Sequence, residues 1–292
     1  MRPTVRPCVV THGGAANDPD VKDGCEAACA AAKAVLDGGG SALDAAVAAV
    51  VVLEDDPRMN AGTGSTLRLD GRIQLDASVM DRRGFGAVAA LEDTRNPIRV
   101  ARAVYDLPHR LIAGDGATAL ARKLGLETAA APTEGQRQKH AKRMAGLGVA
   151  EMWRGVDERF WKQAADLGGA CDTVGAVVRD EHGEFAAAAS TGGIWCALRG
   201  RVGDVPIPGA GLFVGERGAV ATTGVGELIW AEMLAMRVHD KLGERGVAHV
   251  VEHAVKGIKE RHPGKDVGVI AVDLSGGAAA VTGDMPWARW IG

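Results

Sequence analysis

Aromatic side chains are scarce, at 4% of 292 residues with a single Tyr. That leaves little material for stacking platforms on which nucleic-acid bases could lie. No excess of one charge exists either: 34 Lys and Arg face 37 Asp and Glu, for a formal net charge of −3. A nucleic-acid or anionic-membrane surface is therefore not expected. No run of 18 apolar residues occurs, and the start MRPTVRPCVVTHGG holds no signal-type apolar stretch; a cytoplasmic protein with no membrane partner is the expectation. The five cysteines, Cys8, Cys25, Cys29, Cys171 and Cys196, form no C-x-x-C pair. This excludes a zinc ribbon or thioredoxin motif and suits a reducing compartment. What the chain has in quantity is glycine, 41 residues, a composition for tight turns and close packing of small side chains.

The pattern of apolar residues reads as blocks of strands and blocks of helices. Val9–Thr11 is a short buried strand stopped by Gly13-Gly14, and a helix then runs to about Leu36 before a glycine triplet. Ser41 and Asp44 open a second helix as a capping-box variant. Short strands around Leu67 and Ile73 flank an Asp70-Gly71 turn. Asn96-Pro97 starts a third helix, and Asp115 is the expected N-cap of a fourth. Residues 126–169 lack a clean period at first and read as an exposed, mobile connection. Strands resume abruptly at Asp172–Arg179 and Glu184–Ser190, and later at Ala219–Thr222, Val267–Leu274 and Ala278–Thr282. Helices are expected at Glu227–Leu242 and Val247–Arg261. Strands and helices in blocks, without strict alternation, indicate an α+β layered single domain spanning 1–292.

The junction at Asp172-Thr173 is where chemistry first suggests itself. A Thr opening a strand is ordinarily present for its β preference. If the preceding bond is cut, however, Thr173 gains a free α-amine, whose ordinary pKa near 8 lets it act as base for its own weakly nucleophilic hydroxyl. Downstream lie Thr191 in Ser-Thr-Gly-Gly, Arg201 and Asp204 in a glycine-bracketed turn, and Thr223-Gly224-Val-Gly226 leading into a helix. Arg and Asp together suit the two charges of an amino acid, and a glycine-rich turn can offer N–H groups to an oxyanion.

Nine ordered motifs then carry a resemblance across essentially the whole chain. They are THGGA (Thr11–Ala15), GGSALDA (Gly39–Ala45), LEDDPRMNAGTGS (Leu53–Ser65), LDASVMD (Leu75–Asp81), RNPIRVAR (Arg95–Arg102), DTVGAVV (Asp172–Val178), STGGI (Ser190–Ile194), GRVGDVPIPGAG (Gly200–Gly211) and TTGVGE (Thr222–Glu227). The sequence resembles the plant-type L-asparaginases, or isoaspartyl peptidases, of the N-terminal nucleophile hydrolases. The resemblance implies a four-layer αββα sandwich and self-cleavage between Asp172 and Thr173, giving subunits 1–172 and 173–292. It implies that Thr173 is the nucleophile, that Thr191 supports it, and that Thr223 and Gly224 form the oxyanion hole. Arg201 and Asp204 would clamp the aspartyl carboxylate and ammonium, with a backbone contact from Gly226, and Asn60 would serve processing. No organic or redox cofactor is implied. A loop with Leu53, Glu54, Asp56, Met59, Ala61 and Thr63 resembles the family's site for a structural Na+ or K+. The implied partner is a small-molecule or dipeptide substrate, and the implied assembly a homodimer of αβ units.

Three other readings compete. Asp before the nucleophile is usual in glycosylasparaginases, although the Gly192-Gly193 and Gly224–Glu227 forms follow the asparaginases. His249-Val-Val-Glu252-His253 matches an inverted zinc-peptidase signature, but both His fall opposite the apolar stripe Val247, Val250, Val251, Ala254 and Ile258. A silent binding protein on the same fold would be suspected had Thr173, Thr191, Arg201 or Asp204 been replaced; all four are present.

Overall fold

In the computed structural model, which describes residues 5–126, 132–146, 172–195 and 197–292, the small and β-branched runs become strands buried on both faces. The first part of the chain forms β1 (Cys8–His12), α1 (Lys22–Asp37), α2 (Ala42–Asp55), β2 (Leu75–Asp81), β3 (Gly84–Leu91), α3 (Pro97–Tyr105), β4 (Leu111–Ala113), α4 (Gly114–Lys123) and α5 (Glu134–Gly146). The second part forms β5 (Val174–Arg179), β6 (Phe185–Thr191), β7 (Leu212–Gly215), β8 (Gly218–Gly224), α6 (Gly226–Glu232), α7 (Leu234–His239), α8 (Val247–Arg261), β9 (Val267–Asp273), β10 (Gly276–Val281) and β11 (Trp287–Ile291). The chain is thus a mixed α+β protein with two sheets. One has seven strands in the order β11-β1-β5-β6-β2-β3-β4, the other four in the order β10-β9-β8-β7. All pairs are antiparallel except β3 with β4.

Alternation along each strand sends side chains into different clusters. On β5, Val174, Ala176 and Val178 pack with residues of α1 to α4, whereas Val177 joins the cluster shared by both sheets. On β6, Ala186 and Ala188 take the helix side while Phe185, Ala187 and Ala189 take the other. On β9, Ile270 and Val272 face that shared cluster, and Val267, Val269 and Ala271 pack with α6 to α8. Small residues dominate these contacts, which accounts for a core built with so few aromatics.

The register positions the site. Val174 pairs with Ser190, so Thr173 at the head of β5 lies beside Thr191 at the foot of β6. Thr223 and Gly224 end β8 in the other sheet.

Several elements depart from expectation. No strands flank Asp70-Gly71; the segment is a tight turn closed by the Arg68 N–H donating to the Arg72 carbonyl at 2.8 Å. The hairpin in this region is β2–β3, immediately after it. Ala113 rather than Asp115 is the N-cap of α4. The expected Glu227–Leu242 helix is broken at Met233, which has a left-handed φ of 47°. Within the expected connection 126–169, α5 is a helix started by reciprocal bonds between Thr133 and Gln136, a Thr-x-x-Gln capping box. Residues 147–169, with Cys171 and Cys196, lie outside the described residues. Among the described residues no helix is long and apolar enough to cross a membrane.

Candidate active site

Thr173 is buried, 4% exposed, and the carbonyl of Asp172 before it receives two donors. Asn60 Nδ2 donates to it at 2.9 Å and Thr191 Oγ1 at 3.1 Å. Both donors are themselves fixed. Asn60 Oδ1 accepts from the Thr66 N–H (2.8 Å), its Nδ2 also donates to the Gly193 carbonyl (2.7 Å), and its own carbonyl accepts from the Gly192 N–H (2.9 Å). Thr191 Oγ1 accepts from the Gly193 N–H at 2.9 Å. Two converging donors on one carbonyl polarise its carbon and would stabilise an oxyanion there.

Thr223 Oγ1 accepts from the N–H of Thr173 (3.2 Å) and from that of Ala15 (3.1 Å). A hydroxyl has two acceptor positions and one donor. With both acceptor positions used, its proton is free to be donated elsewhere. Gly224 has φ 132°, and a Cβ there would run into the backbone of Asp266 and Val267. Only glycine lets β8 end in this turn.

Arg201 and Asp204 meet at Gly226, where an added Cβ would lie 2.8 Å from Arg201 Nη2 and 2.9 Å from Asp204 Oδ1. The Arg201 Nε donates to Glu227 Oε1 at 2.9 Å. Nη2 lies 2.8 Å from the same oxygen but outside hydrogen-bond geometry, and it is buried without an acceptor, as Asp204 Oδ2 is without a donor. A guanidinium and a carboxylate with unmet capacity therefore face one cleft, lined by Thr173, Thr191, Gly193, Ile194, Arg201, Asp204, Gly224 and Gly226. Burial pushes the Asp204 carboxyl up to about 7 despite the nearby Arg201 charge. The cleft encloses about 10 Å³, room for about one water.

Three buried groups were not singled out by sequence reasoning. Asp76, on β2, accepts from the Ala90 N–H (2.8 Å) and the Gly203 N–H (3.3 Å), which fixes the turn carrying Asp204. His12, second in THGG, ends β1; its ring presses on Gly175, and burial holds it neutral, down at about 3. Arg68 is fully buried, and burial lowers its pKa. The motifs THGG and LDASVMD signalled the first two, but nothing in spacing alone gave them a part.

The Asp172 carboxyl is also buried, with Oδ1 unpartnered; desolvation, aided by the Asp266 charge, raises it to about 7. At the C-terminal end of α2 Leu53 and Glu54 are fully buried, and so are Met59 and Ala61 in the loop that follows. Carbonyls of Glu54, Pro57, Met59 and Arg95 crowd the Cα positions of Gly62 and Gly64, leaving no room for a Cβ. The Asp56 side chain turns to Arg58 instead, 2.6 Å away, and the Thr63 carbonyl accepts from Gln136. Burial raises Glu54 to about 8, and its Oε1 accepts the Ile98 N–H at the start of α3. His249 and His253 are exposed, as the apolar stripe required, and among the described residues no three metal-binding side chains cluster.

With this geometry in view, the family profile described as asparaginase matches residues 5–289. The chain belongs to this asparaginase family. It is 42% identical over 242 residues to the plant-type L-asparaginase of Pyrobaculum calidifontis, covering 81% of this chain and 78% of that protein. It is 36% identical to the plant-type L-asparaginase of Pyrococcus abyssi, covering 92% and 90%. The isoaspartyl peptidase/L-asparaginase of Mus musculus is 37% identical, over 96% of this chain and 86% of its own.

Proposed function

We propose that this chain is a self-cleaving threonine amidohydrolase that hydrolyses the side-chain amide of asparagine and of β-aspartyl peptides. The observation that carries the reading is the Asp172 carbonyl held by Asn60 and Thr191 directly before Thr173. In processing, Thr173 Oγ attacks the Asp172 carbonyl carbon, the C–N bond breaks, and the hydroxyl proton ends on the Thr173 nitrogen. The Asp172 carboxyl, raised to about 7, exchanges protons readily near neutrality. Water then hydrolyses the ester, freeing the Thr173 amine. In turnover that amine takes the proton of its own hydroxyl, and Oγ attacks the carbonyl carbon of the substrate side-chain amide. The free Thr223 proton and the Gly224 N–H stabilise the oxyanion, a contribution of about 2.7–4 kcal/mol per donor. The amine departs with a proton, and water, activated by the same α-amine, releases aspartate from the β-aspartyl ester. Arg201 binds the α-carboxylate; Asp204, with the Gly226 backbone, binds the α-ammonium.

The two sheets with helices packed on their outer faces support the four-layer αββα arrangement of N-terminal nucleophile hydrolases. Carbonyls of Glu54, Pro57 and Met59 packed around Gly62 and Gly64 support a structural Na+ or K+ in this segment, which would stiffen the loop carrying Asn60. No organic cofactor is required by the steps above. A homodimer of αβ units in the cytoplasm completes the reading.

The test is intact mass under denaturing conditions followed by N-terminal sequencing of the smaller product. The expected cut leaves 120 of the 292 residues, beginning at Thr173. Full activity in an uncut chain would overturn the reading. On substrates, β-aspartyl dipeptides should exceed glycosylated asparagine in kcat/KM; the reverse order would assign the glycosylasparaginase branch.

A further inference from the structure

Helix α5 lies across the loop that follows Asn60. Gln136, His140 and Arg143, spaced i, i+4 and i+7, share one of its faces. Gln136 Nε2 donates to the carbonyls of Thr63 (3.1 Å) and Ser65 (2.7 Å), and the His140 ring borders Gly71. The guanidinium of Arg143 sits 5.0 Å from the centre of the Trp195 ring. Trp195 directly follows Ile194, which lines the cleft with Thr173. The Leu69 N–H donates to the Ala197 carbonyl at 3.0 Å, tying this turn to the loop carrying Arg68.

The corner so formed has donors without acceptors. Trp195 is 6% exposed, and its Nε1–H is buried with no partner. Arg68, fully buried, donates Nη2 to the Gln74 carbonyl (3.3 Å) and feels the Asp76 and Arg201 charges, but its Nε and Nη1 are unpartnered and it packs behind Gly193, another cleft residue. Among the described residues no carboxylate pairs with Arg143. A guanidinium stacked on an aromatic face keeps its in-plane N–H groups available, and a carboxylate is the group that uses two of them at once. Arg201, Asp204 and Gly226 serve the aspartyl half of the substrate. Gly193 and Ile194 lead from the nucleophile to this second, cationic corner.

We propose that this corner receives the α-carboxylate of the leaving residue, which makes Arg143 a specificity-determining residue for β-aspartyl peptides that end in a free carboxyl group. The inference rests on the amidohydrolase reading above and adds the leaving-group half of the substrate.

The experiment compares kcat/KM of the processed enzyme on β-aspartyl-leucine and on the same dipeptide with its terminal carboxyl converted to an amide. Wild type should prefer the free acid by about five- to tenfold, the range for a partly exposed charged hydrogen bond, and added salt should narrow that preference. Arg143→Gln should bring the ratio close to one, and Arg143→Lys should recover part of it. A ratio near one in wild type overturns the inference, as does an unchanged ratio in Arg143→Gln. An equal loss on both substrates marks Arg143 as a support for Trp195 and also overturns it. Hydrolysis of neither substrate by wild type would instead remove the amidohydrolase reading beneath it.

Discussion

Asn60 touches three stretches of backbone at once: the carbonyl of Asp172 before Thr173, the Gly192-Gly193 turn and the loop at Thr66. Asn60→Ala removes one of two donors on the Asp172 carbonyl. Self-cleavage should slow by about 10²–10³-fold, by analogy with loss of one oxyanion donor; a gel time course of purified precursor measures it. Arg201→Lys keeps a charge but loses the planar fork. It should lower kcat/KM for asparagine by about tenfold or more while cleavage at Asp172-Thr173 continues, because that peptide bond offers no free α-carboxylate. Subunit bands and kinetics on the same preparation separate the two effects. That Thr173, Arg201 and Asp204 share one cleft was legible because a Thr at a linker–strand junction and a nearby charge pair have few bland explanations when they occur together. Asp76 and His12 were not, since their parts depend on which backbone groups happen to face them. A buried acid accepting two N–H groups looks, in sequence, like any other acid.

Elements were legible where period or cap was strong. The strand Cys8–His12, the Ser41-capped helix α2 and the helix Val247–Arg261 follow from such signals. The strands β2 and β3 were obscured because nearly all their residues are buried, so no alternation shows. At the break Met233 turns left-handed between α6 and α7, and the Ala235 and Met236 N–H groups at the start of α7 donate to the Ala210 and Gly209 carbonyls rather than along a continuous helix. Helix α5 was hidden by its polarity, and its hold on the body is through hydrogen bonds more than apolar burial. Gln136→Ala deletes both the bonds to Thr63 and Ser65 and one half of the capping box. Amide exchange across Glu134–Gly146 should quicken by about tenfold or more, at roughly 1 kcal/mol per lost bond, with β5 and β6 unaffected. Exchange measured by mass spectrometry would refute the docking if α5 were unchanged.

Across the whole molecule, buried ionisable groups set how stability varies with pH. Thr173→Ala should remain one chain of about 30.1 kDa and so isolates the uncut fold. Glu54, raised to about 8, and Asp172 and Asp204, raised to about 7, bind protons more tightly folded than unfolded. Their contribution to stability therefore declines as pH rises from about 4 to about 8. His12, lowered to about 3, and His239, also lowered, act oppositely, but only below about pH 6.5. Above that, the acids act alone, and thermal scans should show Tm falling between about pH 6.5 and 8, by an amount worth about 2–3 kcal/mol. A flat or rising Tm in that window would contradict the buried, uncharged state of these carboxyls. The cleft has room for about one water, so on the proposed reading an aspartyl group enters only after the chain opens at Asp172-Thr173. Each molecule would then carry a one-way timer started at its synthesis. Activity in a fresh population would grow as a first-order function of age, indifferent to dilution, and no molecule once switched on could be returned to its dormant form.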